Sequence, residues 1–227
     1  ISDGVIYKMF PTSQDHKPIG EGDTGKNTGG MGVIGPVPWV SDEVQKDVET
    51  RVIKPTLDTM LARGTPFTGL LYPGLKMSSK GPRVLEFNAR FGCPETEVYM
   101  RLMKSDIFEL FNACVDGTLA TFNLEWSPGY AATVVMASGG YPDSSEKGVP
   151  IMGIEEAGKV PGVVVFHAGT AQSNGKVVTN GGRVLSVSGV GASLQEALDT
   201  AYAGVAKISF ANMQFRRDIG AKALKNG

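Results

Sequence analysis

Apolar residues return along this chain with two different periods. From residue 41 onward Val44, Val48, Val52, Leu57 and Leu61 fall four or five apart, which predicts an amphipathic helix. Ser41 caps its start, Asp42 and Glu43 complement its positive end, and Gly64 stops it. Pro55 lies inside this span and predicts a kink. Alternation takes over at 67–77 and 83–91, two strands joined by the turn SSKGP. Pro94 then opens a helix over 95–104, and Asp106 opens another that ends at Gly117.

Beyond the Ser-Pro-Gly near residue 129 the texture changes. YAATVVMASGGYP, GVPI, GVVVFHAG, KVVTNGG and RVLSVSG are short β segments bounded by Asn-Gly and Gly-Gly turns. Ser193 and Glu196 form a capping box, and Leu194, Leu198, Ala201 and Val205 stripe a closing helix. Residues 1–9 are strand-like, with a hairpin turn at Asp3-Gly4. Residues 10–38 have no sustained period and read as a long functional loop. The expected architecture is α/β: a mixed part over 1–122 and a β-rich module with a closing helix over 123–227. The chain opens ISDGVIYKMF without an initiator Met, and the expectation is an internal piece of a longer protein.

Composition narrows the function classes. A length of 227 residues with 41% hydrophobic content suffices for one large core or two small ones. A net charge of −1, with scattered Lys and Arg, gives no nucleic-acid footprint. No apolar run is long enough for a membrane span, and no signal peptide is visible. Cys93 and Cys114 supply neither a disulfide framework nor a zinc pattern, so a reducing cytoplasm is the expected setting.

Two phosphate motifs overlap in GEGDTGKNTGGMG, residues 20–32. The first six residues fit the dinucleotide fingerprint G-x-G-x-x-G, and residues 20–27 nearly fit a Walker loop. A dinucleotide site needs a buried strand before the glycines and a helix after them. Here QDHKPI precedes and KNTGGMGVIGPVP follows, so neither motif holds. What remains is a glycine-rich loop whose backbone N–H groups could face an anion.

RVLEFNARFG carries the strongest chemical pattern. Residues two apart on a strand share a face, so Glu86, Asn88 and Arg90 form a row within about 14 Å. Leu85, Phe87, Ala89 and Phe91 then face a core. A carboxylate and an amide carbonyl are hard oxygen ligands suited to Mg²⁺. An adjacent arginine can hold a phosphoryl group or a developing oxyanion. Taken alone, E-x-N-x-R is also compatible with a solvated strand face.

TSQDHKPIGEGDTGKNTGGMG, TGLLYPG, VLEFNARFGCPETE, VVMASGGYP, FHAGT and VTNGGRVLSV occur in that order. Together they resemble the phosphoribosylamine–glycine ligase family, ATP-grasp enzymes of purine synthesis. The resemblance runs over essentially the whole chain but covers only the later part of that enzyme. It implies the C-terminal half of an ATP-grasp domain with a mixed, largely antiparallel sheet, followed by a β-rich C-terminal domain. It implies ATP and Mg²⁺ (or Mn²⁺) as cofactors, and glycine and 5-phosphoribosylamine as substrates. Glycyl phosphate is the implied intermediate. Glu86 and Asn88 match the metal and nucleotide positions, and Arg90 the catalytic arginine. Asp15, His16, Lys17, Asp23, Asn27, Thr28, Gly29, Gly30 and Met31 match the substrate loop. The implied partners are the absent N-terminal part and fused purine enzymes; nucleic acid and membrane are excluded. Other ATP-grasp carboxylases or ligases, and a non-catalytic segment of a multifunctional enzyme, are the competing readings.

Four residues depart from the pattern of the resemblance. Cys93 stands where an Asp is usual, as the expected N-cap of the helix after Pro94, and Lys26 replaces a proline. Pro73 and Lys76 are unusual in their strand, and Pro73 removes a ladder donor.

Overall fold

The structure, a computed structural model, describes residues 1–226. Its contacts group into two compact units that interleave along the chain. One comprises Ile1–Pro11, Pro38–Gly92 and Met103–Ser127; the other comprises Thr12–Val37, Cys93–Leu102 and Pro128–Gly227. In chain order the first stretch carries β1 (Ser2–Asp3), β2 (Gln14–Asp15), β3 (Pro18–Gly20), β4 (Thr24–Asn27) and β5 (Gly32–Gly35). Next come α1 (Asp42–Val48), α2 (Lys54–Ala62), β6 (Thr68–Gly69), β7 (Tyr72–Ser78), β8 (Gly81–Asn88), α3 (Glu95–Leu102) and α4 (Ile107–Val115). Then follow β9 (Tyr130–Ala137), α5 (Ile154–Gly158), β10 (Val163–His167), β11 (Thr170–Ser173), β12 (Lys176–Thr179), β13 (Arg183–Gly191), α6 (Leu194–Val205) and α7 (Ala221–Asn226). Among the described residues every strand pairing is antiparallel.

In the first unit, the helix expected from residue 41 forms as α1 and α2 joined by a π turn at Glu49–Ile53. Ser41 caps it by accepting from the Val44 N–H at 3.3 Å. Pro55 falls in the first turn of α2, where the wider π turn before it accommodates a ring that has no N–H to donate. Val52, Ile53 and Leu57 form the buried face, joined by Tyr7, Val48, Phe67, Leu71 and Leu75. Each such side chain, fully buried, contributes about 1.5–3 kcal/mol. Leu61 ends the expected stripe exposed. A second cluster gathers Leu110, Ala113 and Leu119 with Phe10, Met103, Phe122 and Leu124. α4 is capped by Asp106, which accepts from the Phe108 and Glu109 N–H groups.

In the second unit a five-stranded sheet runs β10-β13-β9-β5-β2. Residues 131–137 of β9 are all buried, because β9 is flanked on both edges and α3 and α6 pack against it. Two hydroxyls inside this layer satisfy each other: Thr133 Oγ1 donates to Ser188 Oγ at 3.0 Å, directly across the β9–β13 register. Gly189 allows α6 to lie against the strand, since a Cβ there would sit 2.4 Å from the Ala201 nitrogen. Ser193 caps α6, and the Glu196 carboxylate reaches back to the Ala192 N–H.

Residues 10–38 differ from the expected unstructured loop. They hold β2 and β5 of the main sheet and the short β3–β4 hairpin. Gly32-Val33-Ile34-Gly35 is a fully buried strand between β9 and β2. Its flanking glycines and four-residue length conceal it from a periodicity count.

Candidate active site

Two groups of side chains carry the candidate chemistry, one in each unit. In the first unit, β8 pairs with β7 so that Glu86 lies opposite Gly74 and Asn88 opposite Tyr72. The Asn88 amide donates to Glu86 Oε1 at 3.3 Å, so the two side chains share a face as period 2 requires. Gly74 leaves room for the carboxylate: a Cβ there would stand 3.1 Å from Glu86 Cγ. The ladder slips between Gly74 and Leu75, leaving Leu85 as the extra residue of a bulge.

The other face is not buried either. Leu85 is 70% and Phe87 45% exposed, so neither faces a core as the alternation predicted. Phe91 does pack, with its ring centroid 6.1 Å from Phe10 and 6.1 Å from Phe111. Arg90 falls outside the strand, which ends at Asn88, and its Nη1 donates to the Phe91 carbonyl at 2.9 Å. The expected three-residue row is therefore a strand-borne pair followed by an arginine on a bend. Pro73 is tolerated because β7 and β8 pair only with each other among the described residues, so each keeps an open edge.

Glu86 and Asn88 supply a carboxylate and an amide oxygen, a donor set that fits a hard divalent cation completed by water and phosphate oxygens. The Asn88 NH₂ donates to Glu86, which leaves Oδ1 as the atom that would serve as a ligand. No group of three or more His, Cys, Asp or Glu side chains with metal-holding geometry exists among the described residues.

In the second unit, GEGDTGKN is a β-hairpin and not a phosphate loop. β3 and β4 are joined through Glu21–Asp23, with Gly22 and Asp23 at φ of 67° and 58°. Thr28 closes its base: its N–H and hydroxyl both donate to the Lys17 carbonyl, at 2.8 and 2.7 Å. The N–H groups of Gly29 and Gly30 are taken by Tyr141 Oη and Thr28 Oγ1. The expected cradle of outward N–H groups is thus closed by the protein's own oxygens at these two positions.

Arg183 fixes the same turn from another strand. Its Nη1 donates to the Gly29 carbonyl at 2.5 Å and to the Cys93 carbonyl at 2.7 Å. Gly30 sits at φ +113°, and a Cβ there would be 2.6 Å from both Asp15 Oδ1 and Pro94 Cδ. Helix α3 begins at Glu95, so Cys93 lies just outside the cap position expected for it.

Three residues of the expected substrate loop have structural duties in this unit. Met31 is fully buried, a core residue of the sheet unit. The buried His16 ring has both nitrogens engaged: Nε2 accepts from the Gly220 N–H at 3.1 Å, so Nδ1 carries the proton and donates to the Gly32 carbonyl at 3.1 Å. Burial, opposed by the Gly32 contact, holds this imidazole below its ordinary pKa. Asp23 pairs with Arg216 through Oδ1 at 3.0 Å and with Lys222 through Oδ2. The Lys222 contact, over the opposing effect of burial and with help from Arg216, keeps its carboxyl below the usual range.

Asp15 differs from these. Its side chain is 7% exposed, with Oδ1 on the His16 N–H at 2.7 Å and Oδ2 on Lys17 Nζ at 2.8 Å. Burial and then repulsion from the buried Glu95 push its pKa up to about 6, against the pull of Lys17. Lys17, Asn27 and Gly29 are exposed, Thr28 is half-buried, and Lys26 pairs with Asp143 at 2.7 Å. Arg183, Tyr141 and Glu95 were not singled out by sequence. Tyr141 and Arg183 meet the loop from more than a hundred residues away, and no local pattern encodes that.

The Glu-x-Asn pair on the β7–β8 hairpin lies in a segment of the ATP-grasp class. Residues 1–96 match the profile described as phosphoribosylglycinamide synthetase, ATP-grasp (A) domain, and residues 131–222 match the C domain of the same enzyme. The chain belongs to the phosphoribosylglycinamide synthetase family. It is 51% identical over 224 residues to a phosphoribosylamine–glycine ligase of Chlorobaculum tepidum, covering 99% of this chain and 53% of that protein. It is 47% identical to the human trifunctional purine biosynthetic protein adenosine-3, covering 98% of this chain and 22% of that protein. The crystal structure of phosphoribosylamine–glycine ligase from Thermotoga maritima superposes with a TM-score of 0.82 at 38% identity, over 92% of this chain and 51% of that one. The chain thus spans about half the length of the single-function relatives it matches.

Proposed function

We propose that this chain is the C-terminal part of a ligase that joins glycine to 5-phosphoribosylamine at the expense of ATP, giving glycinamide ribonucleotide. The observation that carries this reading is the Glu86–Asn88 pair on β8, set opposite Gly74 within residues that match the ATP-grasp domain. In this reading residues 1–122 complete the catalytic domain and 123–227 form the C-terminal domain. The matched ranges 1–96 and 131–222 are compatible with that division.

Glu86 and Asn88 would hold a divalent cation, Mg²⁺ or Mn²⁺, which when bound would neutralise charge on the ATP phosphates. Arg90 lies two residues past Asn88, where its planar fork is available to the transferring phosphoryl group once it leaves the Phe91 carbonyl. The glycine carboxylate attacks the terminal phosphorus, ADP departs, and the amine of phosphoribosylamine displaces phosphate from the acyl carbon. Asp15, Lys17, Asn27, Thr28, Gly29 and Gly30 shape the substrate side. His16, Asp23 and Met31 support that loop from within. The reaction belongs to a polypeptide that also supplies the half absent here, and the fusion seen in the human relative makes other purine enzymes plausible neighbours on one chain. No helix among the described residues is long and apolar enough to cross a membrane, and a cytoplasmic setting accords with the proposed chemistry.

The test is ADP release dependent on both glycine and phosphoribosylamine, measured on the full-length polypeptide. Glu86→Gln and Asn88→Ala are expected to lower turnover at least about 10- to 100-fold and to raise the metal requirement. Wild-type rates in both variants at low Mg²⁺ would end the metal assignment. Phosphate release with bicarbonate alone would point to a carboxylase instead.

A further inference from the structure

One heavily bonded side chain of the second unit belongs to no motif. Arg216 is 2% exposed, and its guanidinium faces two carboxylates and a carbonyl. Nε and Nη2 each donate to Asp218 at 2.8 Å, a bidentate pair. Nη1 reaches Asp23 at 3.0 Å and the Pro18 carbonyl at 3.2 Å, both on the β3–β4 hairpin. Neighbouring residues repeat the connection. Asp218 Oδ2 accepts from the Gly22 N–H at 2.8 Å, Glu21 accepts from the Arg217 N–H at 3.2 Å, and Lys222 pairs with Asp23. His16 receives the Gly220 N–H at the hairpin's root. Tyr202 braces the strap itself, donating to the Arg216 carbonyl and accepting from the Ile219 N–H.

The hairpin needs this support. It has only two short strands, and its tip holds Asp23, a residue with a side chain, in the left-handed region. An isolated ribbon of that size is marginal in water. Asp23, Gly22 and Glu21 are the tip residues, and each is held by the strap at 216–222.

We infer that Arg216 is a positioning residue: through Asp23, Asp218 and the Pro18 carbonyl it clasps the β3–β4 hairpin and thereby sets the segment 27–30 in its working place. The clasp rests on geometry alone. Its effect on substrate rests on the function proposed above.

The experiment compares Arg216→Met, Arg216→Lys and Asp23→Asn in the full-length polypeptide by amide hydrogen exchange and steady-state kinetics. Arg216→Met is expected to speed exchange at residues 18–31 about tenfold or more, since charged hydrogen bonds are lost, while β9 and β13 amides keep their protection. KM for glycine or phosphoribosylamine should rise about tenfold with kcat nearly unchanged, the signature of lost ground-state positioning. Arg216→Lys should recover part of both effects, because a point charge replaces the fork. Unchanged exchange at 18–31 overturns the clasp; faster exchange with an unchanged KM overturns the positioning role. If Arg216→Met also exposes β9, the protein has lost its fold, and Asp23→Asn, at the half-exposed tip, then decides by the same two readings. Absence of glycine-dependent turnover in the unsubstituted polypeptide defeats the proposed function, while the exchange rates still decide the clasp.

Discussion

Asp15 and His16 are sequence neighbours with opposite linkage to pH. The Asp15 carboxyl is raised to about 6 from an ordinary 3.8, so its ionisation weakens the folded state as pH climbs through that window. The His16 imidazole is held below 6.5, so the folded state loses stability as pH falls below that value. Protonation of Nε2 also removes the acceptor for the Gly220 N–H. His16→Gln is therefore expected to show a smaller loss of urea-unfolding free energy between pH 7 and pH 5 than the unsubstituted protein; equal slopes would contradict the neutral, doubly bonded ring. At this scale the pairing of Glu86 with Asn88 was legible, because a strand's period of two is a local property. Arg90 was not placed correctly, because the strand stops at Asn88 and no residue signals that stop. Met31 and Asp23 entered the substrate loop through the resemblance alone; the packing that holds them became visible only in the structure. Their partners, the sheet core and Arg216, are distant in sequence.

Helices were easier to read than the short strands. Ser41, Asp106 and Ser193 all cap where expected, since a cap needs only a side-chain oxygen two or three residues from a free N–H. Ser193→Ala should cost about 1 kcal/mol in denaturant unfolding, with the loss localised to α6. The kink expected at Pro55 takes the form of a π turn directly before α2, which accommodates a ring that cannot donate. β2 to β5 escaped notice for a different reason. None exceeds four residues, and glycine or proline sits in three of them, so pairing partners alone make them strands. The bulge at Leu85 is likewise a property of two strands together, and no single-strand pattern announces it.

Across the whole molecule, the chain builds two packing units from interleaved segments, each with its own core. Leu57→Ala should therefore destabilise its own unit by about 2–5 kcal/mol and speed exchange across α1 and α2. Amides of β9 and β13 should respond far less, and a matching loss there would show one indivisible cooperative core. The ordered series of motifs was enough to determine the family, the ATP-grasp class and the Glu-x-Asn pair, because these depend on residues close together in sequence or on long ordered similarity. Only the tertiary structure decided what GEGDTGKNTGGMG is: a hairpin whose Asp23 faces Arg216 and Lys222, whose Glu21 accepts from the Arg217 N–H, and whose glycine turn is fixed by Tyr141 and Arg183. The physical reason is separation. Hydrogen bonds and ion pairs that join residues 15–31 to residues 141–222 have no local period, cap or turn chemistry to announce them, and they exist only once the sheet has brought both ends together.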